Sequence, residues 1–231
     1  MRWLYLIAMI WLWPATALAG AWPRGEGNIF VYTSIVADPV QAVSYLELGL
    51  PPPFEWSIYA EYGLNDRWTL GFDGLQIAEQ YNGSSTAIVF ATRSIGTFER
   101  QKFAGSVGLG WHRETDTGAQ SYTARLGAHW GLGFERAWMA ADIWGIAALS
   151  DGAQSGWKAD FTYGRRFGKR FSVTGQVQTG QSGSADPYVK LVPKAGMSFG
   201  ENGRLLLELG YVHGVANDSS RKALLGFSHN F

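Results

Sequence analysis

The sequence contains no cysteine among its 231 residues. This absence excludes disulfide bonds, thiol catalysis, cysteine metal sites and the lipid-modified cysteine of a lipoprotein. The chain also lacks an excess of either charge, because 19 lysines and arginines balance 19 aspartates and glutamates. A chain without net charge has no general attraction to nucleic acid or to anionic lipid, so we expect no nucleic-acid partner.

Long apolar runs are missing beyond the first nineteen residues. The nearest candidate, AWMAADIWGIAAL at 137–149, carries Asp142 in its middle. It is also shorter than the ~20 residues that a membrane-spanning helix needs. If the mature chain lies in a membrane, it must therefore cross as β-strands, whose backbone groups are satisfied by neighbouring strands.

Residues 1–19 have the pattern of a secretory signal peptide. The basic Arg2 precedes an uncharged apolar run that ends at Trp13, and Ala17 and Ala19 stand in A-x-A spacing. The alternative is an uncleaved membrane anchor, but the apolar run is short for that purpose and a small-residue cleavage site follows it. We therefore expect cleavage near Ala19.

Glycine and aromatic residues are abundant: 30 glycines, 11 tryptophans and 10 tyrosines. Such residues are typical of strands with aromatic belts. From residue 27 onward the chain divides into segments of about ten residues, the length of a tilted strand that crosses a bilayer. We predict one domain over residues 20–231, an all-β, closed antiparallel transmembrane β-barrel with up-and-down topology. About twelve strands are expected, with ten possible, at 27–36, 54–64, 68–78, 85–96, 101–113, 120–133, 136–149, 156–166, 170–181, 187–199, 204–214 and 221–231.

The connectors between these segments alternate between short turns and longer loops that are richer in serine, glycine and aspartate. Outer-membrane barrels have short turns on the periplasmic side and longer loops outside. This register places both termini at the periplasmic end and the longest connector, 37–53, on the outside.

A barrel requires the polar residues of each strand on one parity and the apolar residues on the other. The segment 170–181 meets this requirement, because Phe171 begins an apolar face and Ser172 begins a polar one. The weakest pattern is that of 85–96, where we place Arg93 inward.

Aromatic residues of the outward parity fall toward both ends of the predicted strands. Those toward the outside are Trp56, Trp111, Tyr122, Trp157 and Tyr211, and those toward the periplasm are Tyr62, Trp68, Trp130, Phe134, Phe167, Phe171 and Phe199. Two aromatic girdles are typical of the two interfaces of a membrane. The alternative fold, a secreted β-sandwich, buries its apolar parity in a core and has no use for such girdles.

A signal peptide, an even series of amphipathic strands and a last strand ending in FSHNF together resemble the outer-membrane β-barrel proteins of Gram-negative bacteria, of porin-like or transporter type. YAEYGLNDRWTLGFDG at 59–74 is similar to a hairpin common in such proteins. The resemblance implies a cell outer-membrane location, contact with outer-membrane lipids and lipopolysaccharide, and recognition of the terminal Phe231 by the barrel-assembly machinery. His229 departs from the pattern, since an aromatic or aliphatic residue is more usual there.

The inward parity defines the candidate functional residues. It contains Glu55, Glu61, Asp73, Arg125, Asp142, Lys158, Asp160, Arg166, Arg170, Lys190, Lys194, Arg204, Glu208 and Lys222. The early strands contribute acids and the late strands contribute bases, with Glu208 the main exception, and barrel closure makes these two arcs neighbours. We predict a narrow passive channel for small polar or anionic solutes, whose charged lumen sets its selectivity.

Two alternatives to a channel remain open. The first is a non-conducting structural or binding barrel whose charges pair and fill the lumen, since about twelve strands lie between the closed eight-stranded and the open sixteen-stranded cases. Small inward residues favour some free space, namely Ala104, Ser106, Gly108, Gly110, Gly127, Gly131 and Gly133.

The second alternative is an outer-membrane lipid hydrolase. Its candidate groups are His213 with the loop residues Asn217, Asp218, Ser219 and Ser220, or His112 with Glu114, Asp116 and Ser121. Proximity in sequence permits proton transfer from serine to histidine without establishing it. A loop rich in serine and asparagine is usually a solvated loop. We therefore expect no enzyme, no cofactor and no metal site.

Overall fold

The computed structural model describes residues 20–79, 83–200 and 203–231. Twelve antiparallel strands form a closed barrel in which each strand pairs with the next one and the last pairs with the first. The strands are β1 (Ile29–Ala37), β2 (Phe54–Gly63), β3 (Trp68–Ala78), β4 (Ser84–Phe98), β5 (Gln101–Glu114), β6 (Gln120–Gly133), β7 (Ala137–Ala148), β8 (Gly156–Phe167), β9 (Phe171–Ser182), β10 (Tyr188–Phe199), β11 (Leu205–Ala216) and β12 (Arg221–Asn230). The predicted fold is confirmed. The predicted signal peptide, residues 1–19, lies outside the described residues.

The barrel closes through β1, which pairs with β2 on one side and with β12 on the other. Ser34 on β1 lies opposite both Ser57 on β2 and Gly226 on β12. Because closure leaves no open sheet edge, the backbone N–H and C=O groups of the strands are satisfied within the wall, as a membrane requires. We call the end of the barrel where β1 begins and β12 ends the turn end, and the opposite end the loop end.

The outer face of the wall is apolar and carries aromatic side chains at both ends. Trp56 and Tyr122 are exposed near the loop end, and Trp68 and Phe171 are exposed near the turn end. These side chains have the outward parity that the sequence predicts. The barrel therefore presents an apolar band between two aromatic girdles, which is the surface of a membrane-embedded barrel.

The predicted inward position of Arg93 is wrong. Ile88 and Thr92 of the same strand are buried inside, so Arg93 has the outward parity, and its guanidinium lies 5.7 Å from the ring centroid of Trp68. The error is one residue of register, which moves a side chain to the opposite face of a strand. At the turn end an arginine can keep its charge near water while its stem covers the apolar wall.

A short helix, α1 (Pro39–Glu47), lies in the long connector between β1 and β2, and the sequence analysis did not predict it. Asp38 caps its N-terminus, because its carboxylate accepts hydrogen bonds from the N–H groups of Val40 and Gln41. Pro39 occupies the first turn, and Gly49 follows the helix with φ of 70°. In the described part of the chain, no helix combines the length and apolar character needed to cross a membrane.

Candidate functional site in the barrel lumen

A cavity of about 1390 Å³ occupies part of the barrel interior. Residues from both ends of the wall line it: Arg136 and Arg170 from the turn end, and Glu55 and Lys222 from near the loop end. The cavity therefore extends along most of the barrel axis. Its lining is dominated by inward side chains of the strands, which alternate with outward ones.

Most of the predicted lumen residues border this cavity: Glu55, Asp73, Arg125, Asp142, Lys158, Asp160, Arg166, Arg170, Lys190, Lys194, Glu208 and Lys222. Glu61 is buried and lies away from the cavity, paired with Arg24. Arg204 precedes β11 at the turn end and is exposed. The predicted assembly residue Phe231 has the outward parity, is exposed, and donates its backbone N–H to the carbonyl oxygen of Ile29 across the closing seam.

Ion pairs join several of the lining charges. Lys194 Nζ lies 3.2 Å from Glu208 Oε2, and Lys222 pairs with Glu55. The second pair joins β12 to β2 across β1, so the basic and acidic arcs meet at the seam. These contacts order the side chains on that part of the wall without closing the cavity that they border.

Four charges from separate parts of the wall form what we call the charged constriction: Asp73, Arg125, Lys158 and Asp160. Lys158 Nζ lies 2.9 Å from Asp160 Oδ2. Asp73 on β3 interacts electrostatically with both Arg125 on β6 and Lys158 on β8. Since β3 and β8 lie far apart around the wall, this interaction crosses the lumen.

Two polar atoms of the charged constriction are buried without a hydrogen-bond partner in the protein, namely Arg125 Nε and Asp160 Oδ1. Buried polar atoms normally have partners, because an unpaired one loses the hydrogen bonds that it makes in water. Both residues line the cavity. These two atoms are themselves covered by the protein, so water or a solute in the cavity contacts Arg125 and Asp160 through their other atoms.

Aromatic side chains fill one side of the lumen. Phe30, Tyr59, Phe90 and Trp144 form a continuous series with ring centroids 6.3, 5.8 and 5.9 Å apart. The inward glycines are the places where these rings fit, as at Gly71, whose missing side chain leaves room for the Phe90 ring. Among the inward glycines predicted to leave open space, Gly127 lies against Trp144 and Gly131 lies against Trp22, so the prediction is wrong at these two positions. Nothing lies within 4 Å of a Cβ placed on Gly133.

A buried chain of hydrogen bonds crosses β4 to β7. Thr92 Oγ1 lies 2.6 Å from Ser106 Oγ, which lies 2.7 Å from His129 Nε2. His129 Nδ1 lies 2.7 Å from Asp142 Oδ1. The sequence analysis placed Ser106, His129 and Asp142 inward, but it put Thr92 on the outer face when it placed Arg93 inward, and it did not join these groups. The short turn at 134–136 could have done so, because it fixes the register that puts His129 directly opposite Asp142.

This order of serine, histidine and aspartate matches that of hydrolase triads, but the surroundings differ. Ser106 is 5% exposed and its hydroxyl is already engaged by Thr92. Its backbone lies between β4 and β6, paired opposite Thr92 and Gly127. Backbone N–H groups that are committed to a sheet cannot form the oxyanion hole that acyl transfer needs. The chain of hydrogen bonds is therefore better explained as a structural network.

Residues 20–28, which we call the N-terminal segment, lie inside the barrel at the turn end. Arg24 pairs with the buried Glu61 and stacks 4.2 Å from the ring centroid of Phe30. Tyr59 donates a hydrogen bond of 2.6 Å to the same carboxylate, and Ala21 is completely buried. The sequence analysis included this segment in the barrel domain but gave it no position, since its nine residues have no strand periodicity.

The alternative hydrolase groups at the loop end are not assembled into a site. His213 is exposed on the outer face and stacks on Tyr211, with ring centroids 6.2 Å apart. Asp218 is engaged elsewhere, since its carboxylate accepts hydrogen bonds from the Ser220 N–H at 2.8 Å and from Lys190 Nζ at 3.0 Å. Burial alone would raise the pKa of Asp218, but the bonds from Ser220 and Lys190 outweigh it and hold that pKa below its usual range.

The other histidine of that alternative, His112, shares a hydrogen bond of 3.0 Å with the hydroxyl of Thr86 on the neighbouring strand. In the described ranges, no group of three or more histidine, aspartate and glutamate side chains is arranged to hold a metal ion.

Comparisons with known proteins identify the fold. No family model and no curated protein matches this sequence. Among solved structures, the chain is similar to the KdgM porin, with a TM-score of 0.62 and 8% identity over 88% of this chain and 99% of that one. It is equally similar to the KdgM porin in complex with disordered oligogalacturonate, with a TM-score of 0.61 and 8% identity over the same shares. The chain thus has the barrel fold of these porins, as the resemblance of its sequence implies.

Proposed function

We propose that the protein is a narrow passive channel of the bacterial outer membrane, which passes small polar solutes and favours anions. The observation that carries this proposal is one continuous cavity bordered by residues from both ends of the wall. A barrel filled by its own side chains would have only isolated pockets. Here the aromatic series fills one side of the lumen, and the cavity runs beside it.

The sign of the selectivity follows from the charges on the cavity wall. Among the described lining residues, nine are lysine or arginine and six are aspartate or glutamate. Four of the cationic residues, Arg136, Arg166, Lys169 and Arg170, lie together at the turn end of β7 to β9. A basic wall raises the local concentration of anions and lowers that of cations.

The charged constriction supplies the contacts that a permeating solute would make at this level. Arg125 places a cationic donor and Asp160 an anionic acceptor on the cavity wall. A hydroxylated, carboxylated solute can use both, whereas a small inorganic anion uses only the donor. The substrate class that fits best is therefore small polar molecules that carry a negative charge.

The location and partners in this proposal derive from the surface of the barrel. Outer-membrane lipids and lipopolysaccharide would contact the apolar band, and a Gram-negative export route would begin with the signal peptide at 1–19. The barrel-assembly machinery would recognise β12 with its terminal Phe231. The apolar outer face and the porin-like fold support this location, and the same porin-like fold supports transport rather than catalysis.

Planar-bilayer recording of the purified protein tests the channel. We expect discrete conductance steps and, under a salt gradient, a reversal potential on the side of anion preference. Oligogalacturonate, which one similar porin binds, serves as a charged probe, and a neutral oligosaccharide of the same length serves as its control. A silent bilayer at saturating protein, with a correctly folded barrel, would contradict the proposal.

A further inference from the structure

The buried hydrogen-bond chain ends at a carboxylate. Asp142 Oδ1 lies 2.7 Å from His129 Nδ1 and 3.2 Å from the backbone nitrogen of Gly20. When the imidazole ring carries its proton on Nδ1, it donates to Asp142 and accepts from Ser106, so Ser106 and His129 are satisfied as neutral groups. The negative charge of Asp142 then has no counter-charge within this chain of bonds. A carboxylate that is only 16% exposed is stabilised by one.

The geometry points to the α-ammonium of Gly20 as that counter-charge. The sequence predicts signal-peptide cleavage after Ala19, in which one water adds across the Ala19–Gly20 peptide bond. The products are a carboxylate on Ala19 and a primary ammonium on Gly20. The nitrogen that becomes this ammonium already donates to Asp142. Asp142, supported by His129 and Ser106, is thus a binding site for the amino terminus of the mature chain.

The site accepts glycine at its first position for a steric reason. A Cβ on Gly20 would lie 2.9 Å from His129 Nδ1, closer than real Cβ atoms come to other heavy atoms. Ala21, the next residue, is completely buried. A free amino terminus usually lies in solvent and frays, whereas this one lies inside the barrel, at the edge of the cavity.

The wall itself is shaped to receive the N-terminal segment. Gly131 on β6 lies against the indole ring of Trp22, and Gly63 at the end of β2 lies against the carbonyl oxygen of Gly25. A side chain at either glycine would occupy the volume that the segment fills. Contacts along the whole segment, rather than at Gly20 alone, therefore hold the terminus in place and narrow the lumen at the turn end.

The inference goes beyond the proposed channel and does not depend on it, because an ion pair inside the wall forms whether or not the cavity conducts. It also makes processing a step of folding. Before cleavage the Gly20 nitrogen is an uncharged amide, which donates to Asp142 without neutralising it. The charge balance of this part of the lumen is therefore complete only in the mature protein.

Reactivity of the terminal amine tests the site. The mature protein is purified from outer membranes, its intact mass is measured, and an amine reagent at neutral pH labels the α-amino group. Labelling of the N-terminal peptide is followed by mass spectrometry in the folded and in the denatured state. We expect a mass that begins at Gly20 and labelling at least about tenfold slower in the folded state, because a charge-assisted hydrogen bond inside the barrel holds the amine.

Two variants distinguish protection of the amine by the ion pair from protection by burial alone. Asp142→Asn removes the charge, and Glu55→Gln is the matched change of a lumen carboxylate near the loop end, which pairs with Lys222 instead. We expect faster labelling in the first variant and unchanged protection in the second. Inserting one alanine between Ala19 and Gly20 leaves the wall intact but displaces the amine by about 3.8 Å, and labelling should approach the denatured rate.

Three results would overturn the inference: a mature chain that begins at another residue, a folded amine that reacts as fast as the denatured one, or full protection in Asp142→Asn. The insertion variant keeps the test decisive even if Asp142→Asn fails to fold.

Discussion

Lys222 on β12 forms an ion pair with Glu55 on β2, although 167 positions separate the two residues in the chain. The strand between them is β1, whose Val36 lies opposite Glu55. The pair therefore bridges the seam at which the barrel closes, near its loop end. It is also the place where the acidic early strands meet the basic late strands, as the order of charges along the sequence indicates.

The seam ion pair should contribute modestly to stability. Both side chains are about one third exposed, so solvent screens their attraction. In a double-mutant cycle of Glu55→Gln and Lys222→Gln, we expect a coupling of about 0.5–1 kcal/mol in the free energy of unfolding. Urea unfolding in detergent micelles at low and high salt measures it. If the coupling energy did not decrease at high salt, the expectation that solvent screens this pair would be contradicted.

The charged constriction should control ion selectivity. Replacing Asp73 by Asn removes a negative charge that faces Arg125 and Lys158, so the anion-to-cation permeability ratio should rise about twofold to tenfold. Lys158→Gln should lower the same ratio. Reversal potentials in planar bilayers under a salt gradient provide the measurement.

The control for this prediction is Asp116→Asn, which makes the same chemical change in the exposed turn between β5 and β6. Its permeability ratio should equal that of the wild-type protein. Equal shifts in Asp73→Asn and Asp116→Asn would show that overall charge, rather than the constriction, sets the selectivity.

The strands of the barrel wall could be predicted from the sequence, because the pattern that identifies a strand is local. Alternation with a period of two identifies each strand and its inward face. This alternation alone predicts that Lys158, Asp160 and Lys194 face the lumen. Arg93 shows the limit of this reasoning, since a strand with mixed parity can be assigned one residue out of register. The helix α1 was within reach, because Asp38, Pro39 and Gly49 carry the ordinary start and stop signals of a helix.

The side chains and the segment that fill the lumen could not be predicted from the sequence in the same way. The position of the N-terminal segment depends on cavities formed by residues far along the chain, such as Gly131 for Trp22. No local pattern in residues 20–28 encodes that contact. Likewise, the inward glycines indicate missing side chains, but only the register shows whether a neighbour such as Phe90 fills the space.

The ion pair between Asp218 and Lys190, which we call the tether, should break at low pH. The pKa of Asp218 is lower in the folded protein than its ordinary value of 3.8. Its stabilising contribution is therefore complete well above pH 3.8 and is lost as the pH falls below that value. Loss of the carboxylate frees the Lys190 ammonium at the loop end, so anion selectivity and hydrogen exchange in the loop at 217–220 should both increase.

The variant Asp218→Asn should behave at neutral pH as the wild-type protein does in acid. Asp116→Asn again serves as the control, since it removes an exposed loop carboxylate that is remote from the tether. If Asp218→Asn kept the low exchange of the wild-type loop at neutral pH, the tether would have no role in ordering that loop.

The terminal aromatic residue should matter for assembly more than for the stability of the finished barrel. Phe231 is 60% exposed and its ring packs on His229, with ring centroids 3.9 Å apart. Deleting Phe231 should therefore cost little folded-state packing but sharply reduce the amount of barrel in the outer membrane. Heat-modifiable migration on gels, which distinguishes folded from unfolded barrels, measures the assembled fraction in cells and after refolding in detergent.

Phe171→Ala is the matched control for that deletion, because Phe171 is a similarly exposed outward aromatic residue at the turn end of β9. Its assembly in cells should remain close to that of the wild-type protein. Equal losses in both variants would indicate that aromatic residues at the interface, rather than the end of the chain, determine assembly.

The buried pair of Arg24 and Glu61 should determine whether the N-terminal segment stays in the lumen. Breaking a buried ion pair from one side costs about 3–5 kcal/mol when the remaining charge cannot escape. In Glu61→Gln, however, Arg24 can reach water if residues 20–28 leave the lumen. The penalty should therefore appear as undocking: faster hydrogen exchange and proteolysis in this segment, with little change in barrel unfolding.

Glu55→Gln, which removes a more exposed lumen carboxylate, is the control and should leave exchange in the segment unchanged. A loss of about 3–5 kcal/mol in barrel stability with unchanged exchange at 20–28 would mean that the segment is an integral part of the wall.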